Sequence, residues 1–433
     1  MKALALIISL AVALMALPAL AAEGGVPVQE GMFPVTNYGA VGDGVFDCTE
    51  AFQDAVNAAS VHGGIVWVPG GHWLISGSIM VKPGVAICGV NQAPMAIDAL
   101  VGSVIFATGG RDLEEGPALF EMGHSSTVKG ISVFYPAQSP TDIHPYPWTF
   151  HLQGYDNTVE YVTLYNSYQG IKVGPEPNVR HRIFHVYGCV LKTGIFVDAV
   201  TDIGRIDNVQ FHCHWWSSPQ IGGNWEPVFK YMTDNCEAFV FGRTDWQYVT
   251  NTFVFPAKVG YKFVQTEKGV CNGNFTGIGA DATQRGILVE NCAPFGVLVT
   301  NGEFVAFGGD DPVAIEVEET NGGNLTLTNC AVWGPARQVA RLAGGRTSMN
   351  NCNFMHWSAG EELLPAIDVS GGNFTMSGCQ LFAAGKPDAP YVRLNKGTRA
   401  AVIFGNTTDR PLDVINESGI EAQIGLNATE AKP

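Results

Sequence analysis

Three aspartates in two neighbouring stretches have the residue types and the spacing of an acid–base pair. GIGADATQRGILV (277–289) contains Asp281, and AFGGDDPVAIEV (306–317) contains Asp310 and Asp311. Aligning the strand-like ends of the two stretches places Asp281 over Asp310. If the stretches stack as adjacent coils, the carboxylates lie about 5 Å apart, close to the shorter carboxyl spacing of glycosidases. Because close carboxylates raise one pKa of the pair, the spacing predicts catalytic aspartates, and the open alternative is that they cap turns.

A second group of polar and aromatic residues lies where the sequence pattern is interrupted. The strand-like phrases GIFVD (194–198) and AFVFG (238–242) are separated by a segment, AVTDIGRIDNVQFHCHWWSSPQIGGNWEP (199–227), that is longer than one repeat. Insertions of this kind often lie on the binding face, and Trp rings stack on sugars. We therefore expect a sugar-binding groove. The predicted substrate-binding residues of this region and its flanks are Asp202, Arg205, Asp207, His212, His214, Trp215, Trp216, Arg243, Asp245, Trp246, Trp148 and Arg182.

The histidines of His-Cys-His (212–214) would share one face of a strand, which raises the question of a metal. Two histidines are too few for a structural zinc site, and the chain contains no C-x-x-C motif. The sequence predicts no required cofactor. Ca²⁺ held by carboxylates stays open as an alternative.

The elements that must position these residues are short strands with a regular period. Phrases that alternate apolar and variable residues recur at intervals of about 25 residues, a pattern typical of a β-solenoid. One coil reads as a strand AIEVE (314–318), a turn, a strand NLTLT (324–328), a corner at Asn329, and a strand CAVWG (330–334). The same corner falls on Asn301, Asn351 and Gly378. The phrases are GIKVG (170–174), GIFVD (194–198), AFVFG (238–242), GYKFV (260–264), GILVE (286–290), AIEVE (314–318), ARLAG (340–344), AIDVS (366–370) and YVRLN (391–395).

Stacked coils place equivalent residues in columns, so the period also predicts which side chains point outward together. The last four members of the outward column alternate in sign, and we expect them to form an exposed ladder of ion pairs. The column is Lys172, Phe196, Lys262, Leu288, Glu316, Arg341, Asp368 and Arg393. The recurring cysteines, such as Cys330 after the corner, are predicted to be interior apolar fillers, mostly with free thiols.

The N-terminal segments have other predicted roles. Residues 1–22 combine a basic start, an apolar run and Ala-Leu-Ala, which is typical of a secretory signal peptide and predicts a secreted or periplasmic protein. A helix from Thr49 to Ala59, with Thr49 as its N-cap, would cover the open end of the solenoid. The predicted domains are a β-helix over 23–405, including this N-terminal cap at 33–60, and a C-terminal cap or tail at 406–433.

Composition limits the classes of partner. The chain has 40 acidic and 24 basic residues, a net charge of −16, which argues against nucleic acid. No segment after the signal peptide is long and apolar enough to span a membrane. With 52 glycines and little helical periodicity, the composition predicts an all-β protein.

The N-terminal motifs NYGAVGDGVFDCTEAFQDAV (37–56) and GGIVWVPGG (63–71) resemble the signature of the pectate-lyase-like superfamily, in its polygalacturonase-like branch. The resemblance implies a right-handed, single-stranded parallel β-helix of about 22–28 residues per coil. It also allows a homotrimer. GGDDPVAI (308–315) is similar to an Asp-Asp motif of polygalacturonases, but their later Gly-His-Gly and Arg-Ile-Lys are replaced by AVWGPARQVA (331–340) and PAIDVS (365–370), which contain no His or Lys.

Three functions follow as expectations. The first is an exported enzyme that hydrolyses glycosidic bonds of a polysaccharide with Asp281, Asp310 and Asp311. The second is a lyase or epimerase acting on a uronic-acid polymer, in which Ca²⁺ or Arg neutralises the carboxylate and a basic residue removes the C5 proton. The third is a non-catalytic glycan-binding surface protein. The basic residues open to the second function are Arg205, Arg243, Lys258 and Lys262.

Overall fold

The computed structural model describes residues 31–431, and the predicted signal peptide lies outside them. The chain winds into successive coils, each of which contributes one strand to each of three parallel sheets. We call them sheet A, which contains NLTLT (324–328), sheet B, which follows it along the chain, and sheet C, which contains VAIEV (313–317). The predicted parallel β-helix is confirmed.

The strands fall into sheets in the order A, B, C along each coil, and the longest strands run through more than one sheet. In chain order they are β1 (Met32–Pro34), β2 (Asp43–Asp47), β3 (Gly64–Trp67), β4 (Gly71–Ile75), β5 (Ile79–Val81), β6 (Val85–Cys88), β7 (Ser103–Ala107), β8 (Phe120–Met122), β9 (Thr127–Lys129), β10 (Ser132–Phe134), β11 (Trp148–Leu152), β12 (Thr158–Val173), β13 (Arg182–Val197), β14 (Arg205–His212), β15 (Glu237–Phe241), β16 (Gln247–Phe255), β17 (Ala257–Phe263), β18 (Cys271–Thr276), β19 (Gly279–Val289), β20 (Cys292–Thr300), β21 (Glu303–Ala306), β22 (Val313–Val317), β23 (Asn324–Thr328), β24 (Ala331–Trp333), β25 (Gln338–Leu342), β26 (Arg346–Asn350), β27 (Asn353–Met355), β28 (Ile367–Ser377), β29 (Gln380–Phe382), β30 (Val392–Phe404), β31 (Thr407–Thr408), β32 (Val414–Asn416), β33 (Gln423–Gly425) and β34 (Ala428–Thr429).

Two α-helices and three short 3₁₀ segments interrupt the strands. They are α1 (Thr49–Ala59) and α2 (Trp225–Asn235), with 3₁₀ turns at Val35–Tyr38, Cys213–Trp216 and Pro219–Ile221. Neither helix is long and apolar enough to cross a membrane, and the same holds for every helical segment between residues 31 and 431.

The outward column of sheet C has the predicted register. Lys172 pairs with Phe196, and further along the sheet Leu288 pairs with Glu316, which in turn pairs with Arg341. The prediction that neighbours in this column form a ladder of ion pairs is wrong, because Glu316 and Arg341 pair with residues outside the column. Glu316 forms its ion pair with Arg285, and Arg341 forms a bidentate pair with Asp311.

A left-handed residue turns the chain from sheet A to sheet B in most coils. The predicted corners Asn301, Asn329, Asn351 and Gly378 have φ angles of 56°, 55°, 53° and 64°. Asn tolerates this conformation better than other side chains because its short amide bonds locally. The amide of Asn329 also donates to Asn301 Oδ1 at 2.6 Å, so neighbouring corners are linked.

The interior of the helix is filled by stacked apolar side chains. Leu325 and Leu327 are fully buried, and Cys330 after the corner is 1% exposed, as the alternation predicts. All ten cysteines are buried with free thiols. Each fully buried Leu contributes roughly 2 kcal/mol from the hydrophobic effect, so the stack supplies much of the fold's stability.

Helix α1 covers the first coils with an apolar face that includes Phe52, Val56 and Ala59, all fully buried. The prediction that Thr49 is the N-cap is wrong. Cys48 occupies the cap position, and the carboxylate of Asp47 accepts hydrogen bonds from the backbone N–H and the hydroxyl of Thr49. The C-terminal residues continue the stack, since β31 pairs with β34 and β30 with β32 and β33.

The corner conformation leads to a test with paired variants. Replacing Asn329 by Ala puts a Cβ in the left-handed region without a compensating amide, which destabilises the fold by about 1 kcal/mol. Asn329→Gly loses the same amide bond but keeps a permitted backbone, so urea unfolding followed by circular dichroism should give a lower midpoint for Ala than for Gly. Equal midpoints would contradict the role assigned to the corner.

Candidate functional site

The predicted stacking of Asp281 over Asp310 is wrong. In sheet C the stretches align as expected, with Ile287 opposite Ile315, a step of 28 residues. In sheet B, however, Gly279 lies opposite Glu303, a step of 24 residues. The last pair of sheet B before the loop is Thr283 with Ala306, a step of 23 residues, so a difference of 28 − 23 = 5 residues is accommodated in the loop 307–312. Asp310 therefore lies on that loop rather than beside Asp281.

The aspartates therefore have separate environments. Burial raises the pKa of Asp281, the backbone N–H of Ala282 lowers it, and Glu303 on the next coil raises it. Hydrogen bonds from Arg341 lower the pKa of Asp311, although partial burial opposes them. Arg341 donates to both oxygens of Asp311 at 2.5 and 2.7 Å, which makes that carboxylate a fixed anion.

The insertion lies later than the sequence predicts. Residues 199–212 belong to the regular coil, and β14 ends at His212. The extra chain is 213–236, which contains two 3₁₀ turns and α2 and connects sheet B to sheet C. The prediction that His212 and His214 share a strand face is wrong, because the chain turns into a 3₁₀ segment at Cys213.

Most of the aromatic residues of the insertion pack within the protein. Trp215 is 9% exposed and Trp216 is fully buried, so neither offers a face to a sugar. His212 stacks on Phe255 with ring centroids 4.7 Å apart, and burial lowers its pKa to about 4. His214 is exposed beside Trp225, which is 42% exposed.

The remaining predicted binding residues lie on other faces. Arg182, Arg205 and Asp207 point out from sheet A, where Asp207 accepts a hydrogen bond from Thr250 at 2.6 Å. The other four residues lie on the turns from sheet C to sheet A. Asp202 forms an ion pair with Arg180, and the side chain of Arg243 donates to Val200 O. Asp245 is exposed, and Trp246 stacks on Phe295. The structure thus does not gather the predicted set into one groove.

Trp148 lies at the edge of sheet C where the long connections from sheet B converge, and His214, Trp215 and Trp216 lie on one of these connections. The loops 108–119 and 135–147 and the insertion 213–236 all rise from this edge, while β12 and β13 pass from sheet B to sheet C without a break. The place where three side chains from these elements meet, which we call the tyrosine cleft, is formed by Tyr168 on β12, Glu114 on the loop 108–119 and Tyr231 on α2.

The three side chains of the tyrosine cleft touch one another. The Tyr168 hydroxyl donates to Glu114 Oε2 at 3.4 Å and lies within hydrogen-bonding reach of Tyr231. Burial raises the pKa of Tyr168 well above the ordinary range, and the nearby Tyr231 and Glu114 raise it further. The phenol is therefore protonated at neutral pH.

A buried amide fixes the loop that carries Glu114. Gln169 is 5% exposed and donates to Glu114 O at 2.8 Å and to Tyr146 O at 3.1 Å. Because the next residue along the chain from Tyr168 holds the backbone of Glu114, the side chains of Tyr168 and Glu114 keep their relative position.

Positive charge and aromatic surface flank the cleft. Lys192 is the residue on the next coil that corresponds to Tyr168, because the residues that follow them, Thr193 and Gln169, pair with each other. Lys172 lies in register between His151 and Phe196 on sheet C. Within residues 31–431, no carboxylate forms an ion pair with either lysine, in contrast to Lys262, which pairs with Glu237 and Glu290.

The aromatic surface beside the cleft consists of Trp148 and Phe196, whose ring centroids are 6.4 Å apart. Trp148 also lines an apolar pocket of about 250 Å³ with Leu113 and Pro117 of the loop 108–119. Aromatic surface next to lysines that form no ion pair among these described residues suits a sugar ring that bears a carboxylate.

A histidine with a raised pKa extends the sheet C face away from the cleft. His151 Nδ1 lies 2.9 Å from Glu121 Oε2, and Nε2 lies 3.0 Å from Gly174 O and 3.2 Å from Glu176 Oε2. Burial by itself lowers the pKa of His151, but the hydrogen bond and charge of Glu121 outweigh it, so the pKa is raised above 6.5. Acceptors at both ring nitrogens favour the imidazolium form.

The carboxylates of sheet C do not fit a calcium ion. Ca²⁺ requires six to eight oxygen ligands. Among residues 31–431 no three acidic, His or Cys side chains form a group that could hold a metal. Glu121, Asp311 and Glu316 are each engaged by His151, Arg341 and Arg285 respectively.

Sequence reasoning missed Glu114, Tyr168, Lys192 and Tyr231, because none of them lies in a repeated phrase. Glu114 is on a loop, Tyr168 and Lys192 precede the phrases on β12 and β13, and Tyr231 is on α2. A signal for the neighbouring His151 was present. FEMG (120–123) and FHLQG (150–154) are earlier members of the same phrase as IKVG (171–174), and extending the column to them would have found Glu121 and His151 above Lys172.

Comparisons with known proteins agree with the fold. Residues 32–109 match the family model "Rhamnogalacturonase A/epimerase, pectate lyase-like". A mannuronan C5-epimerase, AlgE3 of Azotobacter vinelandii, is 34% identical over 89 residues, which are 19% of this chain and 5% of that protein, so the chain matches only a small part of this curated relative.

Solved structures cover much more of the chain at low identity. The A-module of mannuronan C-5 epimerase AlgE4 from A. vinelandii covers 92% of this chain and 97% of its own, with a TM-score of 0.51 and 13% identity. Pre-mature gene product 12 of bacteriophage phi29 gives a TM-score of 0.59 and 13% identity over 90% of this chain and 56% of its own. These likenesses establish the architecture.

The His151 cluster leads to a pH prediction. Replacing Glu121 by Gln removes the largest raising contribution, so the pKa of His151 should fall, as measured by NMR titration of labelled histidines. Because the folded pKa of His151 is raised, its stabilisation is complete below the unfolded value near 6.5 and is lost as pH rises through the folded value. Glu176→Gln is the matched control with a smaller effect, since that side chain is 51% exposed. An unchanged pKa in Glu121→Gln would refute the assignment.

Proposed function

We propose that this chain, a parallel β-helix of the pectate-lyase-like superfamily, is an exported enzyme that acts on a polysaccharide containing uronic acids and removes the proton at C5 of the sugar. The observation that carries the proposal is the tyrosine cleft, in which a protonated phenol contacts an exposed carboxylate. Lys172 and Lys192 lie on the same two strands as the cleft and its neighbouring coil, and neither forms an ion pair within residues 31–431. The names of the matching family and of the curated relative, both of which include an epimerase, support the same chemistry.

In the proposed reaction, Lys172 and Lys192 neutralise the substrate carboxylate, which makes the adjacent C5–H bond more acidic. Glu114 accepts the C5 proton, and the electron pair of that bond forms the enediolate. The enediolate then takes a proton back at C5, as in an epimerase, or expels the C4 oxygen, as in a lyase. Tyr168 supplies the proton in either case, and the Tyr168–Glu114 hydrogen bond returns the proton from Glu114 to Tyr168.

The proposed reaction is tested by Tyr168→Phe. Loss of the proton donor should lower kcat on an acidic polysaccharide by about 10²-fold or more, since this is the usual contribution of general acid catalysis. Lys172→Gln should chiefly raise KM, because it removes a contact to the substrate carboxylate. Epimerase activity is measured by deuterium incorporation at C5 in D₂O, and lyase activity by the ultraviolet absorbance of the unsaturated product.

The matched control is Tyr155→Phe, which removes the same hydroxyl from an exposed tyrosine stacked on His124, away from the cleft. It should retain wild-type kcat. Full activity of Tyr168→Phe on every acidic substrate that the wild type converts would overturn the assignment of the cleft. Binding of the polymer without any product would favour a non-catalytic glycan-binding protein.

A hydrolase is the second candidate, and the direction of the pKa shift of Asp281 favours it, because burial moves this carboxyl group toward the behaviour of a general acid. In this case Asp281 is the acid, and Asp310 or Asp311 would act from the loop 307–312. Asp281→Asn should then lower the rate at which new reducing ends form by about 10²-fold or more, while Tyr168→Phe leaves that rate unchanged. The opposite pattern, with Asp281→Asn fully active, excludes this candidate.

A further inference from the structure

A second groove lies on the turns that connect sheet C to sheet A, at the edge of sheet C opposite the tyrosine cleft. It has a volume of about 400 Å³ and crosses several coils of the C-terminal half. We call it the glycine groove, because its floor consists largely of the Gly-Gly turns that recur in the sequence. The residues used below are Glu319, Asn321, Gly344, Gly345, Gly371 and Arg399.

Glycine is required on the floor by the close approach of neighbouring coils. A Cβ on Gly371 would lie 2.0 Å from the carbonyl oxygen of Ala343. Gly345 has a φ of +60°, and a Cβ there would lie 2.4 Å from Asn321 Nδ2. The floor is therefore backbone, without side chains above it.

Asn321 faces this floor with an unsatisfied donor. The side chain is 4% exposed, and its Oδ1 accepts hydrogen bonds from the N–H groups of Cys292 at 3.1 Å and Gly323 at 2.9 Å. Two donors at Oδ1 fix the orientation of the amide, so Nδ2 points toward Gly345. That buried Nδ2 has no partner among the described residues. Unpaired buried donors of this kind are rare in native proteins and indicate a missing ligand or water.

Other donors surround the same point. The N–H groups of Gly344 and Gly345 take part in none of the backbone hydrogen bonds made by the described turns. Successive free N–H groups at a left-handed glycine form a concave nest that suits anions. Arg399 is exposed at the groove and makes only a 3.5 Å contact with Gly345 O, without an ion pair in the described part of the chain.

We propose that the glycine groove binds the carboxylate of an acidic saccharide, with Arg399, Asn321 Nδ2 and the glycine N–H groups as donors. The volume leaves room for the sugar ring beside its carboxylate, and the carboxylate of Glu319 accepts hydrogen bonds from the ring hydroxyls. Since the groove lies on the edge opposite the tyrosine cleft, it anchors the polymer at a distance from the reaction. The choice of a saccharide rests on the proposed function, whereas the anion-binding geometry does not.

The experiment separates the groove from the cleft. In a Tyr168→Phe/Lys172→Gln background, isothermal titration calorimetry with oligogalacturonate measures binding at the groove. The fully methyl-esterified oligosaccharide and sodium sulfate serve as the uncharged sugar and the sugar-free anion. Arg399→Gln and Asn321→Asp should each weaken oligogalacturonate binding by about tenfold or more, because each removes a donor to an anion and the second adds a repelling charge.

Lys396→Gln is the matched control, because it removes a positive charge three residues from Arg399, from an exposed side chain that does not line the groove. Its affinity should equal that of the background, and the methyl ester should bind at least tenfold more weakly than the acid. Equal affinities for Arg399→Gln and Lys396→Gln would overturn the proposal, and so would binding of sulfate without binding of oligogalacturonate. If the circular dichroism and thermal unfolding of Asn321→Asp match those of the background, its affinity tests the proposal as well. If they do not match, Arg399→Gln decides the result, because it changes an exposed side chain.

A failure of the groove is distinguishable from a failure of the proposed function. If the groove variants lose binding while Tyr168→Phe retains full turnover in the otherwise native chain, the anchor stands and the cleft assignment falls. If Tyr168→Phe abolishes turnover while the groove variants bind and turn over long polymers as the wild type does, the cleft stands and the anchor falls.

Discussion

Hydrogen bonding between successive coils is the constraint on which the whole structure depends. Each strand satisfies its backbone groups on the coils before and after it, so a coil adopts its shape only when its neighbours keep register. Register in turn fixes the columns, because an inward leucine must lie over an inward apolar residue at every step. The left-handed corners keep this alternation in phase where the chain bends from sheet A to sheet B.

The same constraint explains why the chemistry concentrates on connections. Strand positions must repeat from coil to coil, which limits inward residues to apolar fillers and outward residues to side chains that tolerate a stacked neighbour. Connections can lengthen without disturbing the register. The five residues added in 307–312 and the helix added in 213–236 leave the strands on either side paired. Tyr168 lies where β12 and β13, which run on without a break, stand between the long connections 135–147 and 213–236.

Charge on sheet C follows from stacking as well. Outward residues at one-coil spacing must balance one another, and most of them do: Lys262 with Glu237 and Glu290, Arg341 with Asp311, and His151 with Glu121. Exposed pairs of this kind contribute little to stability, so their main effect is to cancel the local field. Lys172, Lys192 and Arg399 form no ion pair within residues 31–431, and they leave positive potential at the cleft and at the groove of a protein with a net charge of −16.

The sequence by itself determined the fold, the period, the corners at Asn301, Asn329 and Asn351, the interior place of Cys330 and the outward column of sheet C. Each of these follows from alternation or from the backbone preference of one residue, and both are local properties. Only the tertiary structure decided which side chains meet. The alignment of sheet C places Asp281 beside Asp310, but the pairing in sheet B leaves Asp310 on a loop. Tyr168 contacts Glu114 on a distant loop because the coils stack, and no spacing along the chain encodes that contact.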